Sequence, residues 1–405
     1  MAFYRTWMTA AVMFGSITLV TSFATAQKRY DVGATDTEIK IGNIMPYSGP
    51  ASSYATTGKA MAAYFDKINS EGGINSRKVR FLSQDDGYQP PKTVEVARKL
   101  VEQDGTLFLA GTLGTPTNSA IHKYMNLKKV PQLFVATGAT KWGDPKNFPW
   151  TMGWQPSYQI EGRILGDYVA MTYPSAKIGI LYQNDDAGKD YVKGFKAGLG
   201  QEAIKQIVAE TSYEVTDPTV DSQIVTLKTS DVDVFFLPAI PKVVAQAIRK
   251  AHDLNWRPAI ILASVGSSVG AALEPAGLER SIGVVTATYF KDPTDKTWTD
   301  DPGYLSWLAF MKQWYPSGNV IDNLNVIGYS LAQTVVQVLK RCGDDLTREN
   351  IMQQASNLKD LELPMLLPGI KINTSPNDFF PIKQMQMARF DGKSWVLIGS
   401  VINRP

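Results

Sequence analysis

The sequence is short of the residues that most chemistry needs. Cys342 is its one cysteine, and His122 and His252 are its two histidines. A lone thiol excludes an internal disulfide and any cysteine-rich zinc or iron–sulfur centre. Two histidines leave little for metal binding or acid–base work, so no metal and no cofactor is expected. A dominant charge is missing too: 41 Lys and Arg face 38 Asp and Glu, a formal net charge of +3 over 405 residues. Such a field attracts neither nucleic acid nor an anionic membrane. After the first 26 residues no apolar run reaches bilayer length. The nearest, Pro258 to Leu273, is diluted by Gly266, Gly270 and several serines and alanines, so no membrane span is expected in the mature chain. What is present is a 44% hydrophobic fraction, enough for the cores of two or three domains.

The N-terminus reads as an export signal. Arg5 is the only charge before Lys28, and Ala10 to Val20 is an apolar run of 11 residues, too short to span a bilayer but suited to a signal core. Ala24-Thr25-Ala26 supplies the small residues that signal peptidase accepts, which predicts a cut after Ala26. An exported chain without disulfides points to a bacterial periplasm.

The mature chain alternates strand and helix. Strands are predicted at Glu38 to Met45, Lys78 to Ser83, Leu107 to Ala110, Gln132 to Val135, Lys177 to Tyr182, Val232 to Leu237 and Ala259 to Leu262. Helices fall between them, the first carrying Ala60, Met61, Tyr64, Phe65 and Ile68 on one stripe. A loop rich in Trp, Pro and Gly, Lys141 to Pro156, interrupts the rhythm before it restarts. This pattern predicts an α/β fold with two Rossmann-like lobes and mostly parallel sheets. Ligands of such sheets sit beyond the carboxyl ends of the strands, so function is sought in those loops.

Enzyme motifs fail on inspection. Gly266-Ser267-Ser268-Val269-Gly270 has the form of a nucleophile elbow, but both histidines precede Ser268, whereas such hydrolases place theirs after it. A flexible Gly/Ser loop is the expectation there. No phosphate-cradling glycine motif occurs. Asp85-Asp86 and Asp185-Asp186 read as turns or helix caps rather than cation sites. His122 is expected on the surface or partly packed, and Trp142, Trp150 and Trp154 are expected in core or hinge packing. The chain is read as a non-enzyme.

Several loops together resemble the leucine-binding-protein family, the periplasmic receptors of branched-chain amino-acid ABC importers. They are Glu38-Ile-Lys-Ile-Gly-Asn-Ile-Met-Pro-Tyr-Ser-Gly-Pro, Asn69-Ser-Glu-Gly-Gly-Ile-Asn, Gln84-Asp-Asp-Gly-Tyr-Gln-Pro, Gly111-Thr-Leu-Gly-Thr-Pro-Thr and Val130-Pro-Gln-Leu-Phe-Val-Ala-Thr-Gly-Ala-Thr, in order. The resemblance implies the type I periplasmic binding fold, with two lobes joined by a three-crossover hinge that closes on ligand. It implies one lobe of residues 27–153 plus 289–368 and another of 154–288 plus 369–405. It also implies a monomer that works with an inner-membrane ABC permease and its ATPase; a sensor docking to a signalling receptor would use the same trap.

Binding residues carry over unevenly. The resemblance places Thr115, Thr137 and Ala139 at the ligand carboxylate, and Tyr54, Leu113 and Leu324 on the pocket wall. Hydroxyls and helix N-termini suit an anion there. Where the family's amino-acid receptors carry an acid for the ligand ammonium, this chain has Val265, and no Asp or Glu lies between Asp253 and Glu274. Two pocket positions that are aromatic in that family are Ala187 and Ala239 here, which implies a wider cavity. An α-ammonium buried without an anionic partner costs several kcal/mol. The expected ligand is therefore a small carboxylate without that group, with an apolar or aromatic body. Asp185 or Asp186 could still serve a cation, which keeps a leucine-like or aromatic amino acid open.

Overall fold

The computed structural model describes residues 28–403 and, before them, residue 2 alone. The apolar stretch Ala10 to Val20 and the cut after Ala26 lie outside the described residues.

Strand β1 (Arg29–Tyr30) precedes β2 (Glu38–Met45), and helix α1 (Ala55–Ser70) leads to β3 (Lys78–Asp85). Then come α2 (Pro90–Arg98), β4 (Phe108–Ala110), α3 (Thr115–Leu127), β5 (Gln132–Val135) and β6 (Thr151–Gly153). Strands β2 to β6 form a five-stranded sheet, order β3-β2-β4-β5-β6, with every pairing parallel. Crossover helices cover both faces of such a sheet, so its central strands read as nearly unbroken apolar runs; β4 and β5 are buried throughout. Strand β6 falls inside the stretch expected to be loop. Its three buried residues are too few for a period to show.

Past β6 the chain builds the second lobe. Helix α4 (Tyr158–Thr172), β7 (Ile178–Gln183), α5 (Asp186–Ala203), β8 (Ile207–Tyr213), α6 (Asp221–Thr229), β9 (Val234–Leu237), α7 (Pro241–Asp253), β10 (Ala259–Leu262), the one-turn α8 (Glu274–Ala276) and β11 (Val285–Thr288) follow in turn. The chain then returns to the first lobe as α9 (Pro302–Trp314), α10 (Leu324–Cys342), β12 (Asp345–Leu346) and α11 (Arg348–Ala355). There α10 packs along α1, and β12 pairs with β1. A hairpin of β13 (Gln384–Phe390) and β14 (Trp395–Asn403) closes a seven-stranded sheet, order β14-β13-β11-β10-β9-β7-β8.

The fold is the type I periplasmic binding architecture: two α/β lobes with mostly parallel sheets. The chain passes between them after β6, after β11 and before β13. The lobe limits given above stay our proposed division. The hairpin is the antiparallel exception. Its turn is set by Asp391, whose carboxylate accepts from the backbone N–H of Lys393 and Ser394, with Gly392 at φ +101° between them.

Two local expectations are corrected. The Gly/Ser stretch is not a flexible loop but two helical turns with a buried Ser268, whose hydroxyl accepts from Ala271 N–H and donates to Asp322 at 2.7 Å. His122 is not superficial: it is 5% exposed, stacked on Phe148 at 3.8 Å, and burial lowers its pKa to about 4.

Candidate functional site

A cleft between the lobes opens where the strands end. From the first lobe, the turn after β2 brings Tyr54, β4 leads into Leu113 to Thr115, and β5 into Ala136 and Thr137. From the second, β7 ends in Gln183, β9 in Pro238 to Ile240, β10 in Ser264 and Val265, and β11 in Tyr289 and Phe290. The space they enclose is ≈ 730 Å³, part of it open at the mouth.

The two ends of this cavity differ in chemistry. At the first-lobe end Thr115 opens α3, and its hydroxyl bonds that of Thr137. Thr115 is 2% exposed and Thr137 1%. The N-terminal turn of a helix leaves N–H groups without helical partners, so an anion is favoured at this end. Gly114 makes the approach possible: at φ +94° it takes a left-handed conformation, and a Cβ there would sit 2.4 Å from the Tyr88 ring. At the second-lobe end stand Ala187, Ala239 and Val265, with Pro238 and Ile240.

The sequence pattern of periplasmic binding proteins matches residues 38–394. The chain belongs to the periplasmic binding protein family. A Leu/Ile/Val-binding protein of Rhizobium johnstonii is 28% identical over 231 residues, 55% of this chain and 60% of that one. The chain thus spans less than two thirds of the length of the curated relatives it matches first. Among solved structures, a branched-chain amino acid ABC transporter protein of Thermus thermophilus with bound valine superposes with TM-score 0.79 at 16% identity, covering 92% of this chain and 98% of that one. A solute binding protein of Rhodopseudomonas palustris in complex with 3,4-dihydroxybenzoic acid gives 0.75 at 19%, covering 90% and 97%.

In this binding protein the sequence-predicted residues fall as follows. Tyr54, Leu113, Thr115, Thr137, Ala187, Ala239, Val265 and Leu324 all line the cavity. Ala139 does not: it is fully buried beneath the wall, packed with Val135 and Trp142. Neither suggested cation partner reaches the lining. Asp185 caps α5, accepting from the N–H of Ala187 and Gly188 and from Gln183 Nε2 at 2.6 Å, and burial raises its pKa. Asp186 turns outward and pairs with Lys141 at 2.6 Å. Asp85 and Asp86 tie down the turn after β3. Among the described residues no cluster of three or more metal-ligating acids, histidines or cysteines occurs. Trp142 and Trp154 are 1% exposed and stand outside the cavity; Trp154 donates to Thr334 at 2.9 Å.

Sequence reasoning missed the rings. The alanines at 187 and 239 suggested a widened pocket, yet Tyr88, Tyr289 and Phe290 enter from other loops, Tyr158 from the start of α4 and Tyr191 from α5. Tyr158 stacks on Tyr191 with centroids 4.2 Å apart. Burial raises the pKa of each of these tyrosines, so they stay neutral. It also missed Glu161, which lies 1% exposed behind the wall and accepts from Ser264 and Tyr191.

The lobes are closed on each other. Tyr54 of the first lobe donates to the Val265 carbonyl of the second at 3.0 Å. The same lobes meet where Thr140 N–H reaches Asp190 at 2.6 Å. Tyr54→Phe removes one inter-lobe bond and keeps the ring. A net hydrogen bond is worth about 0.5–1.5 kcal/mol, so ligand release should quicken by about 3- to 10-fold with association little changed. Stopped-flow tryptophan fluorescence reads both rates; an unaltered release rate would show that this contact does not hold the closed state.

Proposed function

We propose that this protein is the exported receptor of a branched-chain amino-acid-type ABC importer, working in the periplasm and handing its ligand to the permease and ATPase. Its ligand is a small carboxylate with an apolar or aromatic body and no α-ammonium. The observation that carries this reading is the lining itself: it contains no Asp, Glu, Lys, Arg or His. An ammonium brought into it would meet no anionic side chain on the wall, at a cost of several kcal/mol. A carboxylate would meet the Thr115 and Thr137 hydroxyls and the start of α3. The neutral tyrosine rings offer large, stiff apolar faces to the body of the ligand. The amino-acid reading needs Asp185 to turn inward, which would uncap α5.

The trap does no chemistry on its cargo in this reading. Hinge closure is biased by contacts the ligand makes with both lobes at once. Such protein scaffolds differ in cargo: one relative of this fold holds valine, another 3,4-dihydroxybenzoic acid. Thermal-shift measurements with leucine, phenylalanine, benzoate and hydroxycinnamate test the assignment. A ligand present at 100 times its Kd adds about 2.7 kcal/mol of stability, so the aromatic acids should raise Tm clearly and the two amino acids should not. Stabilisation by leucine alone would overturn the reading.

A further inference from the structure

Glu161 is a carboxylate in the wrong place to touch a ligand and in the right place to govern one. It stands in the first turn of α4, 1% exposed. Its Oε1 accepts from the backbone N–H of Ser264 at 2.5 Å, and its Oε2 accepts from the Ser264 hydroxyl at 2.8 Å and the Tyr191 hydroxyl at 2.9 Å. Ser264 and Tyr191 both line the cavity, and Glu161 does not. An ionised carboxylate can only accept, so both hydroxyls must spend their single proton on it. What they turn toward the ligand is then lone pairs alone.

We propose that Glu161 is a positioning residue that sets the hydrogen-bond polarity of this wall, and that the ligand is a carboxylic acid bearing a hydroxyl which donates to Ser264 or Tyr191. The inference rests on the reading of the cavity as a carboxylate trap and adds the group at the other end. A hydroxyl on the ligand supplies the one proton that the wall lacks. An ether oxygen at the same point would face lone pairs and lose the hydrogen bonds it had in water.

Protonating Glu161 reverses the preference. The acid then donates to one of the two hydroxyls, whose own proton is released toward the cavity, and the wall can donate as well as accept. The titratable groups facing Glu161 are Tyr191 of α5, Tyr158 of its own helix and Tyr289 after β11, all raised by burial. Burial also lifts Glu161, to about 7, against the pull of its three donors. The switch therefore falls near neutrality, where Ser264 carries no charge and the tyrosines stay protonated.

The experiment is calorimetric titration of the full protein with benzoate, phenylacetate and cinnamate, each as the parent acid, its 4-hydroxy form and its 4-methoxy form. Titrations are run at about pH 8 and about pH 5.5, both above the pKa of the ligand carboxyl. At the higher pH the hydroxy form of the scaffold that fits should bind about 10-fold more tightly than its parent. At the lower pH that ratio should shrink and the methoxy form should gain affinity. The E161Q variant, whose amide both donates and accepts at every pH, should show the low-pH preferences throughout. If acids bind but the hydroxyl gives no advantage, or the preference ignores pH in the wild type, the inference fails while the carboxylate trap stands. If none of the acids binds, the trap reading itself has failed. Should E161Q not fold, the wild-type pH series decides alone.

Discussion

Replacing Thr115 and Thr137 together by valine should weaken binding of the carboxylate ligand by about 100-fold, or roughly 2.7 kcal/mol, while the protein folds as before. Valine keeps the branched shape of threonine and removes only the hydroxyl. A bond from a neutral donor to a charged acceptor contributes about 1.5–3 kcal/mol. Two such bonds would sum to more, but these hydroxyls already bond each other, and side chains sharing a network do not act independently. Folding is little disturbed because Gly114, not Thr115, holds the N-cap position of α3, and the backbone N–H of Thr137 bonds Val135 whatever the side chain. Tyr158 does lose a partner at Thr137, yet Gln155 Nε2 still reaches its hydroxyl at 3.2 Å. Calorimetric titration with whichever acid stabilises the wild type gives the number. A loss smaller than about threefold, with Tm unchanged, would move the carboxylate elsewhere in the cavity.

The sequence announced this end of the site more clearly than the other, and the physical reason is local. Thr115 precedes Pro116, a residue suited to the first turn of a helix because it has no N–H to satisfy there. Thr137 lies two residues past the end of the buried strand Gln132–Val135. Each is placed by its immediate neighbours. Tyr88, Tyr191 and Tyr289 reach the cavity from three separate loops or helices, and only the closing of two lobes brings them together. No spacing along the chain encodes that meeting. Ala139 shows the converse failure: two residues past Thr137, the backbone has already turned it under Trp142. Glu161 did leave a signal. Tyr158, Glu161 and Leu165 share one buried stripe of α4, and an acid on a buried stripe must have partners waiting. The hairpin β13–β14 was not among the predicted elements, although Asp391-Gly392 between two strand-like runs is a signal for it.

The walls at Glu161 and Tyr191 are held in register by glycines, and Gly166→Leu should cost about 3 kcal/mol of stability. Helices α4 and α5 meet backbone to backbone. A Cβ on Gly166 would stand 2.2 Å from the Phe195 carbonyl oxygen, and one on Gly198 would stand 2.1 Å from that of Arg163. Gly162 and Gly194 face the same crossing, with Tyr191 and Gln159 carbonyl oxygens 2.5 and 2.2 Å away. Neither side of such a contact is a flexible side chain that can swing aside, so the helices must part. Helix propensity alone predicts the opposite sign, since a residue with a Cβ gains up to about 1 kcal/mol over glycine in a helix. Gly166→Ala therefore separates the two effects: we expect it to destabilise, because its Cβ already occupies the clashing position. The consequence reaches the ligand. Tyr191 hangs from α5 and Glu161 from α4, so parting the helices stretches their 2.9 Å hydrogen bond and frees the Tyr191 proton toward the cavity. Urea unfolding should show a lower midpoint for both variants at unchanged slope. A more stable Gly166→Ala would mean that the helices can shift apart at no cost, and that close packing is not what fixes the wall.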